Sequence, residues 1–259
     1  MSLKLAISGK GGVGKTTLAA LLARTLAASG RRVLAIDADP VPNLGAALGL
    51  PEERWPSPIS ELRDLIAERT GARPGTFGGV FRMNPRVDDI PDRYGVDAVG
   101  VKLVTMGSVE KGGSGCVCPE SVLLKALVQH LVLERDEIVI MDMEAGVEHL
   151  GRATSRYVDL LLVVVDPGSR SHAAARRIRD LAGDLGIPRV AAVGNRVRSA
   201  ADEEAIRRGL GGFEILGFVP HDEALAEADR SATLPYPDPA SIPEEIRRIA
   251  GILEAAGRA

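Results

Sequence analysis

The nine residues Gly9–Thr17, which read GKGGVGKTT, constrain the fold of this chain more than any other feature. A short apolar run precedes them at residues 3–8, and an Ala- and Leu-rich helical pattern follows at residues 16–29. Glycines allow successive backbone N–H groups to turn towards one anion, and the N-terminus of a helix adds the positive end of its dipole. The sequence therefore predicts a loop that binds phosphate groups between a strand and a helix.

Strand-like and helix-like segments alternate along most of the chain. Apolar runs typical of buried strands lie at residues 3–8, 33–37, 101–106, 138–141, 160–165, 190–193 and 215–219. Helical patterns lie at residues 16–29, 121–134, 171–185, 199–210 and 243–256. We predict an α/β fold of the P-loop NTPase type, with a mainly parallel sheet and helices on both of its faces.

Residues 51–100 interrupt this alternation, because they are rich in proline and glycine and contain one weak helical pattern at residues 59–70. We interpret them as an irregular insertion over the sheet edge, and residues 1–259 as a single P-loop ATPase domain. A net charge of -3 and 3% aromatic residues do not favour nucleic-acid binding. No apolar run has the length of a membrane helix, and no signal peptide is evident, so we expect a cytoplasmic protein without a membrane partner.

The loop supplies most of the residues that we expect to bind a nucleotide. Lys15 is placed to reach the β- and γ-phosphates of ATP, and the Thr16 hydroxyl to bind Mg²⁺. The nucleotide-binding residues predicted in this loop are Gly9, Lys10, Gly11, Gly12, Val13, Gly14, Lys15, Thr16 and Thr17.

Two acidic clusters follow predicted strands, at the edge where an α/β sheet presents its ligands. Asp39 belongs to the first, which reads DADP, and Asp142 ends the second, which reads IVIMD. Four apolar residues before an aspartate form a Walker B pattern, which delivers a carboxylate beside a magnesium ion. A cap or turn aspartate is the alternative at both positions. From these patterns we predict that Thr16 and Asp142 contribute to a magnesium site.

Both cysteines of the chain, Cys116 and Cys118, lie in one glycine-rich segment. A C-x-C pair can direct two thiolates at one soft or borderline ion such as Ni²⁺, Zn²⁺ or Cu⁺. Two ligands do not complete a four-coordinate site, whereas a symmetric dimer would supply four. The alternatives are a redox role or no role, since a disulfide within this pair would close a very small, strained ring.

The loop contains Lys10 in addition to Lys15. This extra lysine makes the sequence resemble the deviant Walker A ATPases, which include MinD, the plasmid-partition ATPases and the nitrogenase iron protein. The resemblance implies a nucleotide-gated homodimer in which Lys10 crosses to the other subunit's ATP. It also implies that Lys10, Lys15 and Asp39 are the catalytic residues, and that Asp39 orients the attacking water or helps to hold Mg²⁺.

The same resemblance assigns three further regions. Gly146 would belong to switch II and meet the γ-phosphate through its N–H group. Asn195 and Arg196 would contact the adenine, and the loop at Pro220 would close over the base. A turn asparagine is the alternative at position 195.

Two longer segments narrow the resemblance: residues 106–118, MGSVEKGGSGCVC, and residues 141–150, MDMEAGVEHL. Together with the P-loop they closely resemble the CooC family, whose ATPases mature the nickel site of carbon monoxide dehydrogenase, from Lys4 to about Pro220. The resemblance implies a homodimer that carries nickel, or zinc, on paired C-x-C motifs to carbon monoxide dehydrogenase or acetyl-CoA synthase. A MinD- or partition-type positioning ATPase and an iron–sulfur carrier or reductase are the alternatives.

Overall fold

An eight-stranded sheet lies at the centre of the part of the chain that the computed structural model describes, residues 2–74, 81–107, 118–133, 137–144, 158–231 and 233–257. Its strands are β1 Leu3–Gly9, β2 Val33–Ala38, β3 Val96–Ala98, β4 Val101–Thr105, β5 Ile138–Met143, β6 Leu160–Val165, β7 Val190–Val197 and β8 Glu214–Pro220. They lie in the order β3-β4-β2-β5-β1-β6-β7-β8. Each neighbouring pair is parallel except β3 and β4, so the predicted α/β class is confirmed.

Helices connect most of the strands. They are α1 Lys15–Ala28, α2 Leu44–Ala47, α3 Arg63–Thr70, α4 Ile90–Tyr94, α5 Pro119–Leu133, α6 Ser169–Leu185, α7 Ala200–Gly209, α8 Glu223–Ser231 and α9 Glu244–Ala256. Short 3₁₀ helices lie at Glu52–Arg54, Ile59–Glu61 and Pro239–Ser241. None of the described helices combines the length and the hydropathy that crossing a membrane requires.

The central strands read as continuous apolar runs because both faces of the sheet are buried. In β6, Leu162 and Val164 face a core shared with α1 and α9, whereas Leu161 and Val163 face a second core shared with α3, α5, α6 and α7. All four of these side chains are fully buried. The two cores hold the sheet between two helical layers, and this leaves the carboxyl ends of the parallel strands as the edge on which ligands bind.

The prediction that residues 51–100 are irregular was wrong in part. They contain β3, which pairs antiparallel with β4 through a tight turn at Val99 and Gly100, both with positive φ. The predicted helix at residues 59–70 is a 3₁₀ turn followed by the shorter α3, whose Leu65 and Ile66 are buried in the second core. A three-residue strand carries too few side chains for a period-two pattern, which is why the sequence did not reveal β3.

Candidate nucleotide site

The P-loop joins the central strand β1 to α1, as the sequence predicts. Its first glycine, Gly9, has φ 152°, and a Cβ built there would lie 2.4 Å from the carbonyl oxygen of Val164 in β6. The last glycine of the loop, Gly14, has φ 93° and precedes the first turn of α1. Both positions therefore require glycine, Gly9 because β6 is close and Gly14 because its backbone is left-handed.

A cavity of about 630 Å³ lies over this loop and is the size of a ligand site. Its walls come from the P-loop and α1, from the loop that carries Asp39 and α2, from the end of β5, and from the region after β8. The lining residues are Gly11, Gly12, Gly14, Lys15, Thr16, Thr17, Asp39, Asn43, Ala46, Ala47, Glu144, Arg196, Leu225, Ala228, Thr233 and Pro235.

Asp142 lies beside the P-loop with 1% of its surface exposed, and it accepts a hydrogen bond from the Thr16 hydroxyl. Burial raises the pKa of this carboxyl to about 7; the charges of Asp37 and Asp39 add to the rise, and Thr16 and Lys15 oppose it. Its Oδ1 has no hydrogen-bond partner within the described residues.

A buried carboxylate oxygen without a partner, next to a threonine hydroxyl and two further carboxylates, fits a divalent cation. Thr16 and Asp142 would hold Mg²⁺, and Asp39 lines the same cavity as Thr16. When bound, the ion would supply positive charge that offsets the negative charge of the phosphoryl group during its transfer. The ligand roles of Thr16, Asp39 and Asp142 stay predictions.

Asp37 shapes the loop that carries Asp39. The Asp37 carboxylate accepts backbone N–H bonds from Asn43 at 2.9 Å, Leu44 at 2.8 Å and Asp39 at 3.2 Å. Burial raises the pKa of Asp37, and these three donors oppose the rise. Asp39 itself faces the cavity and accepts a hydrogen bond from the Val41 N–H at 2.9 Å. This role of Asp37 could not be predicted, because an aspartate that binds backbone N–H groups and one that binds a ligand look alike in sequence.

Lys15 and Lys10 differ in their surroundings. Lys15 is 9% exposed and lines the cavity, where its charge can meet phosphate oxygens. Lys10 is half-buried and lies outside the set of residues that line the cavity of its own chain. This placement leaves Lys10 compatible with a role at another subunit's nucleotide, which stays a prediction.

Of the three residues expected to contact the adenine, only one lines the cavity. Arg196 lines the cavity with a positive φ of 58°, whereas the Asn195 side chain turns to the P-loop and donates to the Val13 carbonyl at 2.7 Å. A Cβ on Gly14 would lie 2.5 Å from the same amide nitrogen. Asn195 therefore supports the loop in this conformation. Pro220 ends β8 and does not line the cavity; Leu225 and neighbouring residues form that wall instead.

Several lining residues were missed by the sequence analysis. They are Asn43, Ala46, Ala47, Glu144, Leu225, Ala228, Thr233 and Pro235. Most are small or apolar and belong to no motif. The amphipathic spacing of α8, which contains Leu225 and Ala228, was the one sequence feature that could have indicated this wall. Two predicted residues, Gly146 and Cys116, lie outside the described residues. Cys118 is described and is half-buried at the start of α5.

Comparison with known proteins extends this description. A family model described as "CobQ/CobB/MinD/ParA nucleotide binding domain" matches residues 4–235. The chain is 46% identical over 258 residues to the carbon monoxide dehydrogenase accessory protein CooC of Rhodospirillum rubrum, covering 98% of each sequence. It is 48% identical over 230 residues to an uncharacterised ATP-binding protein of Methanocaldococcus jannaschii, covering 88% of each. It is 30% identical to Bacillus subtilis MinD, covering 85% of this chain and 76% of MinD.

Solved structures agree on the fold. MinD of Pyrococcus horikoshii, in complex with Mg-ADP, superposes with a TM-score of 0.70 at 19% identity and covers 99% of this chain and 98% of that one. The sheet, the P-loop and the cavity thus define a MinD/ParA-type P-loop protein that binds ATP and hydrolyses it. Within this class, the chain belongs to the CooC family of ATPases.

Replacing Asn195 by alanine separates its two suggested roles. Because the amide holds the Val13 carbonyl, we expect Asn195→Ala to weaken binding of both ATP and inorganic tripolyphosphate, each by roughly 5-fold. Titration calorimetry with the two ligands measures this. Weaker ATP binding with unchanged tripolyphosphate binding would instead show that Asn195 contacts the adenine.

The stability of the nucleotide-free protein should depend on Asp142. The pKa of this carboxyl is raised from 3.8 to about 7 on folding, so the folded state holds its proton more tightly than the unfolded state. The free energy of unfolding should therefore fall as the pH rises from about 4 to about 7. Urea unfolding in chelator should show this fall in the wild type and in the exposed control Asp97→Asn, and a smaller one in Asp142→Asn. Parallel profiles for the wild type and Asp142→Asn would contradict the prediction.

Proposed function

We propose that this chain is an ATP-dependent nickel carrier that assists the assembly of carbon monoxide dehydrogenase. The observation that carries the proposal is the 46% identity to the accessory protein CooC over 98% of the chain, in a sequence whose two cysteines form one C-x-C motif. Nickel is the cargo, and Zn²⁺ is a second ion that the same thiolates suit. Acetyl-CoA synthase is the alternative client.

The position of Cys118 supports a link between the cysteine motif and the nucleotide. Cys118 Sγ accepts the Ser121 N–H at 3.4 Å, and the Ser121 hydroxyl bonds back to the Cys118 backbone, at 3.2 Å to N–H and 2.9 Å to C=O. These bonds fix the thiol at the N-terminus of α5. Since α5 leads back to the parallel strand β5, its N-terminus lies towards the carboxyl edge of the sheet, where the nucleotide cavity opens.

Hydrogen bonds join Met106, the first residue of the segment 106–118 that contains both cysteines, to the loop that carries Asp39. The Met106 N–H donates to the Asp37 carbonyl at 2.8 Å, and the Asp37 carboxylate holds Leu44 in the wall-forming helix α2. Ser60 N–H in turn donates to the Met106 carbonyl at 3.0 Å. In the proposed cycle, these bonds are the route by which a change in the Asp39 loop reaches the end of β4, which the cysteine segment follows.

In the proposed cycle, ATP favours a closed homodimer that brings two C-x-C motifs together, and hydrolysis releases that arrangement. Four thiolates from two protomers would complete one metal site in a symmetric interface. By linkage, a nucleotide that changes the metal affinity must have its own affinity changed by the same factor when metal binds. A cytoplasmic setting would keep these thiols reduced.

A positioning ATPase of the MinD type is the second candidate, because Bacillus subtilis MinD is 30% identical. Membrane-binding ATPases need an amphipathic helix whose apolar face is available to lipid. In α9 that face is in the core: Ile246, Ile249 and Leu253 are fully buried in the core shared with α1. This packing favours the carrier over a membrane-bound positioning function.

The double variant Cys116→Ser/Cys118→Ser tests the cargo site. We expect the wild type with ADP to take up one Ni²⁺ per dimer, the double variant to take up none, and both to bind ADP equally. The matched control is Ser121→Ala, which removes the hydroxyl bonds beside Cys118 but keeps both thiols and so should keep the stoichiometry. Native mass spectrometry during a nickel titration measures all three.

Two other results of this titration, and one result of a separate iron–sulfur reconstitution, would each contradict the proposal. Unchanged nickel uptake in the double variant would move the site elsewhere. No uptake by the wild type would favour a positioning ATPase. A brown protein after anaerobic reconstitution with iron and sulfide, which does not bind Ni²⁺, would favour an iron–sulfur carrier.

Mixing two inactive variants tests the shared active site. If Lys10 acts on the partner's nucleotide and Asp39 on its own, Lys10→Ala and Asp39→Ala should each abolish ATP turnover. In a mixed dimer, one of the two sites would have both residues. Random exchange of subunits should then restore about a quarter of the wild-type rate. A mixture that stays inactive although native mass spectrometry shows mixed dimers would place both residues in one protomer's site.

A further inference from the structure

Arg24, in the middle of α1, has an unusual set of partners. The residue is 1% exposed, and its guanidinium donates to three successive backbone carbonyls: Pro235 at 2.6 Å, Tyr236, and Pro237 at 3.3 Å. Burying a charge is costly unless strong acceptors surround it. Here the acceptors are main-chain oxygens, so these bonds form only in one backbone conformation of residues 233–237, a segment that we name the strap.

Two further contacts hold the strap. Tyr236 adopts a positive φ of 52°, and its hydroxyl donates to Asp222, whose Oδ1 also accepts the Ala224 N–H at 2.8 Å in the first turn of α8. Leu234 packs on Gly49 beyond α2, where a Cβ would lie 2.7 Å from the Leu234 Cβ. The strap is thereby tied to α1, to α8 and to the turn that follows α2.

The strap is also a wall of the nucleotide cavity. Thr233 and Pro235 line it together with Leu225 and Ala228 of α8. These side chains are uncharged and mostly apolar, whereas the cationic and N–H groups that suit phosphates belong to the P-loop. An apolar wall of this kind fits a base.

We propose that Arg24 is a positioning residue for the nucleotide base, acting through the strap that it holds against α1. The same helix begins at Lys15, which meets the phosphates, and nine residues of α-helix separate the two positions by roughly 13 Å. One rigid element therefore sets the distance between the phosphate loop and the base wall. Within the described residues the Arg24 guanidinium bonds to the strap and not to the P-loop, so its loss should affect recognition of the base alone.

The test compares ATP with inorganic tripolyphosphate, which lacks the base and the sugar. In Arg24→Met, three carbonyls lose their donor, and we expect the Kd of ATP to rise roughly 5- to 30-fold. The Kd of tripolyphosphate should stay within about 2-fold, and kcat at saturating ATP should be kept while KM rises. Arg24→Lys should fall between wild type and Arg24→Met, since an ammonium can still reach part of this set.

Arg31→Met is the matched control, because Arg31 follows the same helix but pairs with Glu254 of α9. It should leave both ligands bound as in the wild type. A parallel loss of ATP and tripolyphosphate binding in folded Arg24→Met, or unchanged ATP binding, would overturn the proposal.

Tyr236→Phe keeps the test decisive should Arg24→Met fail to fold. It removes the hydroxyl bond to Asp222 and leaves the ring and Arg24 in place, so it should weaken ATP binding by a few-fold and spare tripolyphosphate. Unchanged ATP affinity in Tyr236→Phe would show that the strap does not position the base. Circular dichroism and the Tm of each variant establish that it is folded.

Discussion

The site depends on how closely the backbone of Gly9 approaches β6. The carbonyl oxygen of Val164 occupies the space that a side chain at position 9 would need. This contact lies where the end of β1 pairs with β6, at the centre of the sheet; on the other side of β1, β5 carries Asp142 and the next strand, β2, carries Asp37. The P-loop, the start of α1 and the carboxylates come together because this central strand end is packed without a Cβ.

Charge determines what the assembled cavity can hold. Three aspartates, Asp37, Asp39 and Asp142, lie at one end of the site, and two of them have pKa values raised by burial. Polyphosphate adds more negative charge, which Lys15, the helix N-terminus and a divalent cation together can offset. The cavity is thus suited to a nucleotide with its metal ion more than to either alone.

The sequence predicted the class of fold and the phosphate end of the site because both rest on local rules. A strand, a glycine-rich loop and a helix follow one another within about thirty residues, and apolar strands buried on both faces are visible one at a time. The base end could not be predicted in the same way. Arg24 donates to carbonyls 211 to 213 positions away. Because these are backbone carbonyls, no side-chain type marks them in the sequence. Asn195 was recognised as a site residue, but its contact with Val13 is visible in the structure alone.

The contact between Gly14 and Asn195 has a consequence for how sequences of this family can diverge. A Cβ at position 14 would lie 2.5 Å from the Asn195 amide, while that amide holds the neighbouring Val13 carbonyl. A side chain at position 14 would be strained by the left-handed backbone and would also displace the Asn195 amide, so a chain that gained one would give up the bond to the loop. The two positions are therefore expected to behave as a coupled pair in evolution, although they lie far apart in sequence.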